Sequence, residues 1–169
     1  IVILFYKFVD IKNPEKVAEI YRAKCKELDL KGRMILAQEG VNATFEGTRE
    51  NINSYTEFLR NDPLFSDIVI KESAGTGSAF TKLSIKVRDE IVAMGGRRFD
   101  VAKETARELP AEELQKWYEN NEDFVVLDLR NDYEIASGRF EKTIDPKLSN
   151  FKDLPQKLKE IAPLKQKKV

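Results

Sequence analysis

Arg33-Met-Ile-Leu-Ala-Gln-Glu-Gly-Val-Asn-Ala-Thr-Phe45 decides the fold. Arg33 to Ala37 is apolar after its first residue and reads as a strand. Val41, Ala43 and Phe45 then alternate with polar Asn42 and Thr44, the period-two pattern of a strand with one buried face. The Glu39-Gly40 step leaves room only for a tight connection, so two neighbouring strands are expected. On the N-terminal side, Val2 to Val9 is a strand rich in aromatic and branched residues, expected to be central. Asn13-Pro14-Glu15 opens a helix, with Asn as cap, Pro at the first helical position and an acid in the first turn. Val17, Ile20, Tyr21, Cys25 and Leu28 recur at helical spacing as its inward stripe. On the C-terminal side, Thr48 and Glu50 start a second helix with Ile52, Tyr55 and Leu59 inward. Asn61-Asp62-Pro63 stops it, and Ile68 to Lys71 is a fourth strand.

The resulting order, strand, helix, strand, strand, helix, strand, predicts a ferredoxin-like (acylphosphatase-like) α+β domain over residues 1–92. Acylphosphatase activity is not expected. The connection Asp10-Ile11-Lys12-Asn13 has no glycine to turn successive backbone amides onto a phosphate. Glu72 to Ala79 is small and glycine-containing and reads as a flexible loop. Leu83, Ile85 and Val87 alternate with Ser84, Lys86 and Arg88 as a half-exposed strand with a basic outer row. With Lys82, Arg97 and Arg98 this row is a candidate phosphate-contacting face; an ordinary edge guarded by Lys and Arg explains it equally well.

Residues 93–109 contain Gly95-Gly96 and no apolar period, and read as a linker. A second, α/β domain is expected over 110–169. Pro110 starts a helix with Leu114, Trp117 and Tyr118 on its buried face. Phe124 to Leu127 follows as a strand buried on both faces of a parallel sheet. Asp128 and Arg130 stand at its end, the edge where open α/β sheets place their ligand crevices. Ile144-Asp145-Pro146 is a short strand end, and Leu154, Leu158 and Ile161 mark a last helix.

The 29 basic and 29 acidic residues among 169 cancel, so a polyanion must be held by a local patch and not by the net field. The chain has no His, which excludes Ser-His-Asp and Cys-His catalysis and any imidazole metal ligand from these residues. No metal or flavin motif is visible, and no cofactor is expected. One Cys cannot form an internal disulfide, and Cys25 lies in the apolar stripe of the first helix, where it reads as structural. No apolar run approaches the roughly 20 residues that span a bilayer, and no secretory signal opens the chain. A cytoplasmic protein is expected.

The run Asp128-Leu-Arg-Asn-Asp-Tyr-Glu134, closing through Gly138-Arg139-Phe140-Glu141-Lys142-Thr143-Ile144, resembles a rhodanese domain. Together with Tyr6-Lys7-Phe8, Leu30-Lys31-Gly32-Arg33, Glu39 to Thr44 and Lys86 to Val92, it makes the whole chain similar to the rhodanese-related, oxygen-dependent tRNA uridine hydroxylases. That resemblance implies oxidation of a wobble uridine to 5-hydroxyuridine, with tRNA as partner and molecular oxygen as co-substrate. It implies that residues 110–169 are an incomplete rhodanese-like domain. The last strand would begin at Lys167-Lys168-Val169, and the catalytic Cys loop is expected after Val169. Asp128, Arg130 and Arg139 become site-supporting residues, Arg139 standing where a His is more usual. Lys165, Lys167 and Lys168 join the RNA-binding candidates, because seven Lys oppose only Asp153 and Glu160 between Lys147 and Lys168. Rhodanese-type sulfur transfer and a non-catalytic binding module are the alternatives.

Overall fold

In a computed structural model the chain divides into two compact units, Ile1–Val92 and Ala93–Val169. Residues 1–91, 106–157 and 159–169 are described. The expected linker lies mostly outside them, as do Arg97, Arg98 and Leu158.

The first unit runs β1 (Val2–Phe8), α1 (Pro14–Glu27), β2 (Lys31–Ala37), β3 (Gly40–Glu46), α2 (Arg49–Arg60), β4 (Ile70–Ser73) and β5 (Leu83–Val87). Its sheet has the order β4-β1-β3-β2-β5. The first four strands pair antiparallel, and β5 lies parallel to β2 at an edge. This is the expected ferredoxin-like arrangement with one strand added. The β2–β3 turn is Gln38-Glu39, and Gly40 already belongs to β3, opposite Ala37. Gly40 takes φ +147°, and a Cβ there would lie 2.1 Å from the Lys7 carbonyl oxygen of β1. Only a residue without a side chain lets the two strands close at that point.

Both helices begin as their caps dictate. The Asn13 side chain accepts from the Lys16 N–H at 2.9 Å, and the Thr48 hydroxyl accepts from the Asn51 N–H at 3.2 Å. They cover one face of the sheet, where Ile3, Phe5, Met34, Leu36, Val41, Ala43 and Phe45 meet Tyr21, Cys25, Ile52, Tyr55 and Leu59. Tyr21 sits among Tyr55, Phe58 and Phe65 in edge-to-face contacts with ring centroids 5.2 to 6.3 Å apart. Each such side chain contributes about 1.5–3 kcal/mol by leaving water. The stripe of α1 is the expected one except at Ile20, since Val17, Tyr21, Cys25 and Leu28 all pack on the core. Pro14, Ala18, Tyr21 and Cys25 are buried, whereas Ile20 is 47% exposed. Residues 14, 18, 21 and 25 follow the 3.6-residue period more closely, and Ile20 falls beside them. Strand β4 starts two residues later than expected, because Ile68 is drawn into the core by a turn in which its N–H donates to the Phe65 carbonyl.

The second unit contains α3 (Ala111–Glu119), β6 (Val126–Leu127), α4 (Asp132–Ile135), β7 (Thr143–Ile144), a 3-10 turn (Phe151–Asp153), α5 (Leu154–Lys157) and a second 3-10 turn (Ala162–Gln166). β6 and β7 pair in parallel, and Phe124 makes a parallel bridge to Lys168. The expected strand from Phe124 to Leu127 is shorter and less covered than its sequence suggests. Phe124 is buried beneath Trp117 and Tyr118, but Val125 to Leu127 are only half-buried. The expected last helix is also interrupted: α5 spans four residues, and Pro163, which has no N–H to donate, lies in the 3-10 turn that follows.

Candidate functional site

β6 and β7 end level, since the Asp128 N–H donates to the Ile144 carbonyl at 3.1 Å. Each strand is followed at once by a carboxylate, Asp128 after β6 and Asp145 after β7. Each carboxylate turns back on the residue two positions ahead. Asp128 accepts from the Arg130 backbone N–H at 3.1 Å, and Asp145 accepts from the Lys147 backbone N–H at 2.7 Å. Each then pairs with that residue's cation. The Arg130 Nε donates to both Asp128 oxygens at 3.0 and 3.2 Å, and its Nη2 to Oδ2 at 2.7 Å. The Lys147 ammonium donates to Asp145 at 2.7 Å.

These contacts set the charge of the site. The hydrogen bonds from Arg130 hold the Asp128 carboxyl below its ordinary range despite burial. Lys147 does the same for Asp145, through its side chain and then its backbone, with a smaller contribution from the charge of Arg139. Both carboxylates therefore remain ionised at neutral pH and have no proton to give as general acids. Their role is to fix cations. Arg130 is locked from a second side as well, because its Nη2 donates to the Gly138 carbonyl at 2.8 Å. Gly138 has φ +152°, in the region that favours glycine, and this turn aims its carbonyl at the guanidinium. The Arg130 side chain remains 44% exposed, and its Nη1 donates to nothing among the described residues. A planar cation held this way can present its remaining donors to a phosphate or a carboxylate.

The turn after Arg130 is fixed by local polar contacts. The Asn131 backbone N–H donates to the Glu134 carboxylate at 3.1 Å, and its side-chain amide to the same oxygen at 2.8 Å, so α4 starts in one place. Arg139 is exposed after Gly138. Sequence reading found Asp128, Arg130 and Arg139 but missed Asp145 and Lys147. Their signal was present, since Ile144-Asp145-Pro146-Lys147 repeats the apolar-Asp-x-cation order of Leu127-Asp128-Leu129-Arg130.

The basic candidates fall in separate places. Lys82 precedes β5, Lys86 lies in it and Arg88 follows it, all exposed. Lys165 and Lys167 are exposed near the second 3-10 turn. The Lys168 ammonium stands 3.5 Å over the Trp117 ring and pairs with Glu122, so its charge is already engaged. Cys25 is fully buried, and burial pushes its thiol up to about 12, which makes it inert. The β1–α1 connection cannot cradle an anion with its alternate amides, because the N–H groups of Val9 and Ile11 donate to the Glu39 and Gln38 carbonyls. Among the described residues no cluster of His, Cys, Asp or Glu could hold a metal ion, and no helix is long and apolar enough to cross a membrane.

The family model of the UPF0176 acylphosphatase-like domain matches residues 1–91. Curated proteins named tRNA uridine(34) hydroxylase are similar over nearly the whole chain. The one from Cytophaga hutchinsonii is 39% identical over 168 residues, covering 99% of this chain and 54% of its own length. Those from Staphylococcus carnosus and Legionella pneumophila are 38% and 37% identical, covering 94% and 92% of this chain and 50% and 61% of theirs. The chain thus spans about half the length of the curated relatives it matches. An acylphosphatase from Bacillus subtilis is 17% identical at TM-score 0.41, covering 50% of this chain and 96% of its own, a likeness too loose to carry functional meaning.

Proposed function

Because the chain belongs to the family defined by the UPF0176 acylphosphatase-like domain, we propose that it forms part of a cytoplasmic enzyme that hydroxylates C5 of the wobble uridine of tRNA. The observation that carries this reading is the 39% identity to a tRNA uridine(34) hydroxylase over 168 residues, which extends through the second unit as well as the first. The product is 5-hydroxyuridine, and molecular oxygen is the co-substrate. The catalytic thiol is a rhodanese-type Cys outside residues 1–169. Cys25 does not serve, being buried and protonated.

Within this reading Arg130 is a positioning residue. Asp128 and the Gly138 carbonyl fix its guanidinium, and Nη1 reaches a substrate phosphate or the backbone of the Cys loop. Lys82, Lys86 and Arg88 in the first unit, and Lys165 and Lys167 in the second, supply contacts to the tRNA backbone. The test is nucleoside mass spectrometry of tRNA from a strain lacking the complete gene. Loss of 5-hydroxyuridine derivatives, restored by the intact gene and not by one carrying Arg130→Ala, is the expected result. Loss of thiolated uridine instead, or no change, overturns the reading. Full rescue by Arg130→Ala removes Arg130 from the site.

A further inference from the structure

Among the described residues of the first unit, α1 and α2 pack on one face of the five-stranded sheet. On the other face β1 turns out Leu4, Tyr6 and Phe8, which are 40%, 53% and 38% exposed. Three large apolar side chains in alternate positions on an internal strand are costly to leave in water unless something covers them. Register places their neighbours. Tyr6 is opposite Asn42, which is opposite Ile35, which is opposite Lys86. Leu4 lies between Lys71 on β4 and Thr44 on β3, and Thr44 is followed by Arg33 and Ser84. Phe8 faces Gly40 and then Ala37, both of them buried, so the exposed part of this face lies toward Tyr6 and Leu4.

The charges on this face are one-sided. Lys31, Arg33, Lys71 and Lys86 are exposed along it, and none of them enters an ion pair among the described residues. Among the described strand residues that share this face the one carboxylate is Glu46, which is buried and spent on the backbone N–H groups of Gly77 and Ala79, at 2.7 and 2.8 Å. In a chain whose formal charges cancel, this is a local cationic field around an aromatic centre. Rings to stack on, amide and hydroxyl groups beside them and cations at the rim are what an unpaired nucleic-acid strand requires. A membrane or an apolar protein partner would not call for Asn42 and Thr44 in the middle of the surface.

We propose that the open sheet face is a binding platform for single-stranded RNA, with bases stacked on Tyr6 and Phe8 and phosphates drawn to Arg33, Lys71 and Lys86. It rests on the reading of the protein as a tRNA-modifying enzyme and names the surface that takes an unpaired loop. The side chains involved are exposed, so their replacement leaves the core intact.

The experiment is fluorescence anisotropy of a labelled oligouridine with the 169-residue chain. Tyr6→Ala and Phe8→Ala should each weaken binding about tenfold, with unchanged thermal melting, while Tyr6→Phe stays within about twofold of the parent because the ring is kept. Arg33→Glu with Lys86→Glu should flatten the salt dependence. Binding that is indifferent to both alanine variants overturns the proposal, as does preference for a duplex over the single strand. So does a concentration-dependent dimer that Tyr6→Ala dissolves, since the face would then be a contact between copies. No nucleoside needs to be modified in this assay, so its failure is separable from failure of the hydroxylase reading.

Discussion

The two units solve the same problem by different means. The first has three seven-residue strands, β1, β2 and β3, paired across their whole length, and a continuous apolar core between sheet and helices. The second has two-residue strands and few fully buried apolar side chains among its described residues, Phe124, Ile135, Leu148 and Leu154 among them. Its turns are fixed by short-range polar contacts: Asp128 to Arg130, Asp145 to Lys147, Asn131 to Glu134. Apolar packing gives the first unit stability that no single polar group controls. The second unit holds its charged groups in definite places on turns, where chemistry can reach them.

That contrast breaks most sharply if an apolar sheet can absorb a backbone clash. Gly40→Ala puts a methyl group 2.1 Å from the Lys7 carbonyl oxygen at a φ that alanine avoids, so the first unit should lose about 4 kcal/mol or more. Urea unfolding followed by circular dichroism measures it, and a loss under about 1 kcal/mol would mean that the strands can separate there without penalty.

Acid separates the units next. Asp128 and Asp145 have folded values held below the unfolded carboxylate value of about 3.9. Their contribution is complete above that value and is lost as the pH falls through the lower folded values. Hydrogen exchange from pH 7 down to about pH 3 should expose the Arg130 and Lys147 amides while those of β3 stay protected. Simultaneous loss in both units would erase the distinction.

A smaller effect probes the thiol. Cys25 should resist alkylation in the native protein at pH 8 and react at once in denaturant; rapid native labelling would mean that the core opens readily. The smallest is Ile20→Glu, expected to change stability by no more than about 0.5 kcal/mol, as at any exposed helical position. A large loss would restore Ile20 to the buried stripe.

What could be read from the residues depended on distance along the chain. Helix starts at Asn13 and Thr48, the alternation of Val41 to Phe45 and the Asp128–Arg130 pair are all local, and each is legible because its partners are two or three residues apart. The face of α1 was misjudged at Ile20, because hydropathy names apolar residues without saying which of two adjacent stripes meets the sheet. The exposure of Tyr6 and Phe8 was invisible for a related reason. A strand apolar at nearly every position looks buried on both sides, and nothing local shows that Leu4, Tyr6 and Phe8 lie on the face away from α1 and α2. The Glu46 contacts with Gly77 and Ala79 span 31 and 33 residues and left no local trace. The loop they restrain reads as free from its composition alone.

Glu46 has one more effect. β4 and β5 occupy opposite edges of the sheet, so the nine residues between Ser73 and Leu83 must travel its whole width. Burial pushes the Glu46 carboxyl up, but the N–H groups of Gly77, Ala79 and Phe80 outweigh this and hold it below its ordinary range. Parallel pairing is slow to form because its closing loop must be ordered before any contact rewards it. An anchor near the midpoint divides the crossing into two short segments, so β4 and β5 are each only a few residues from a fixed point on the Glu46 carboxylate.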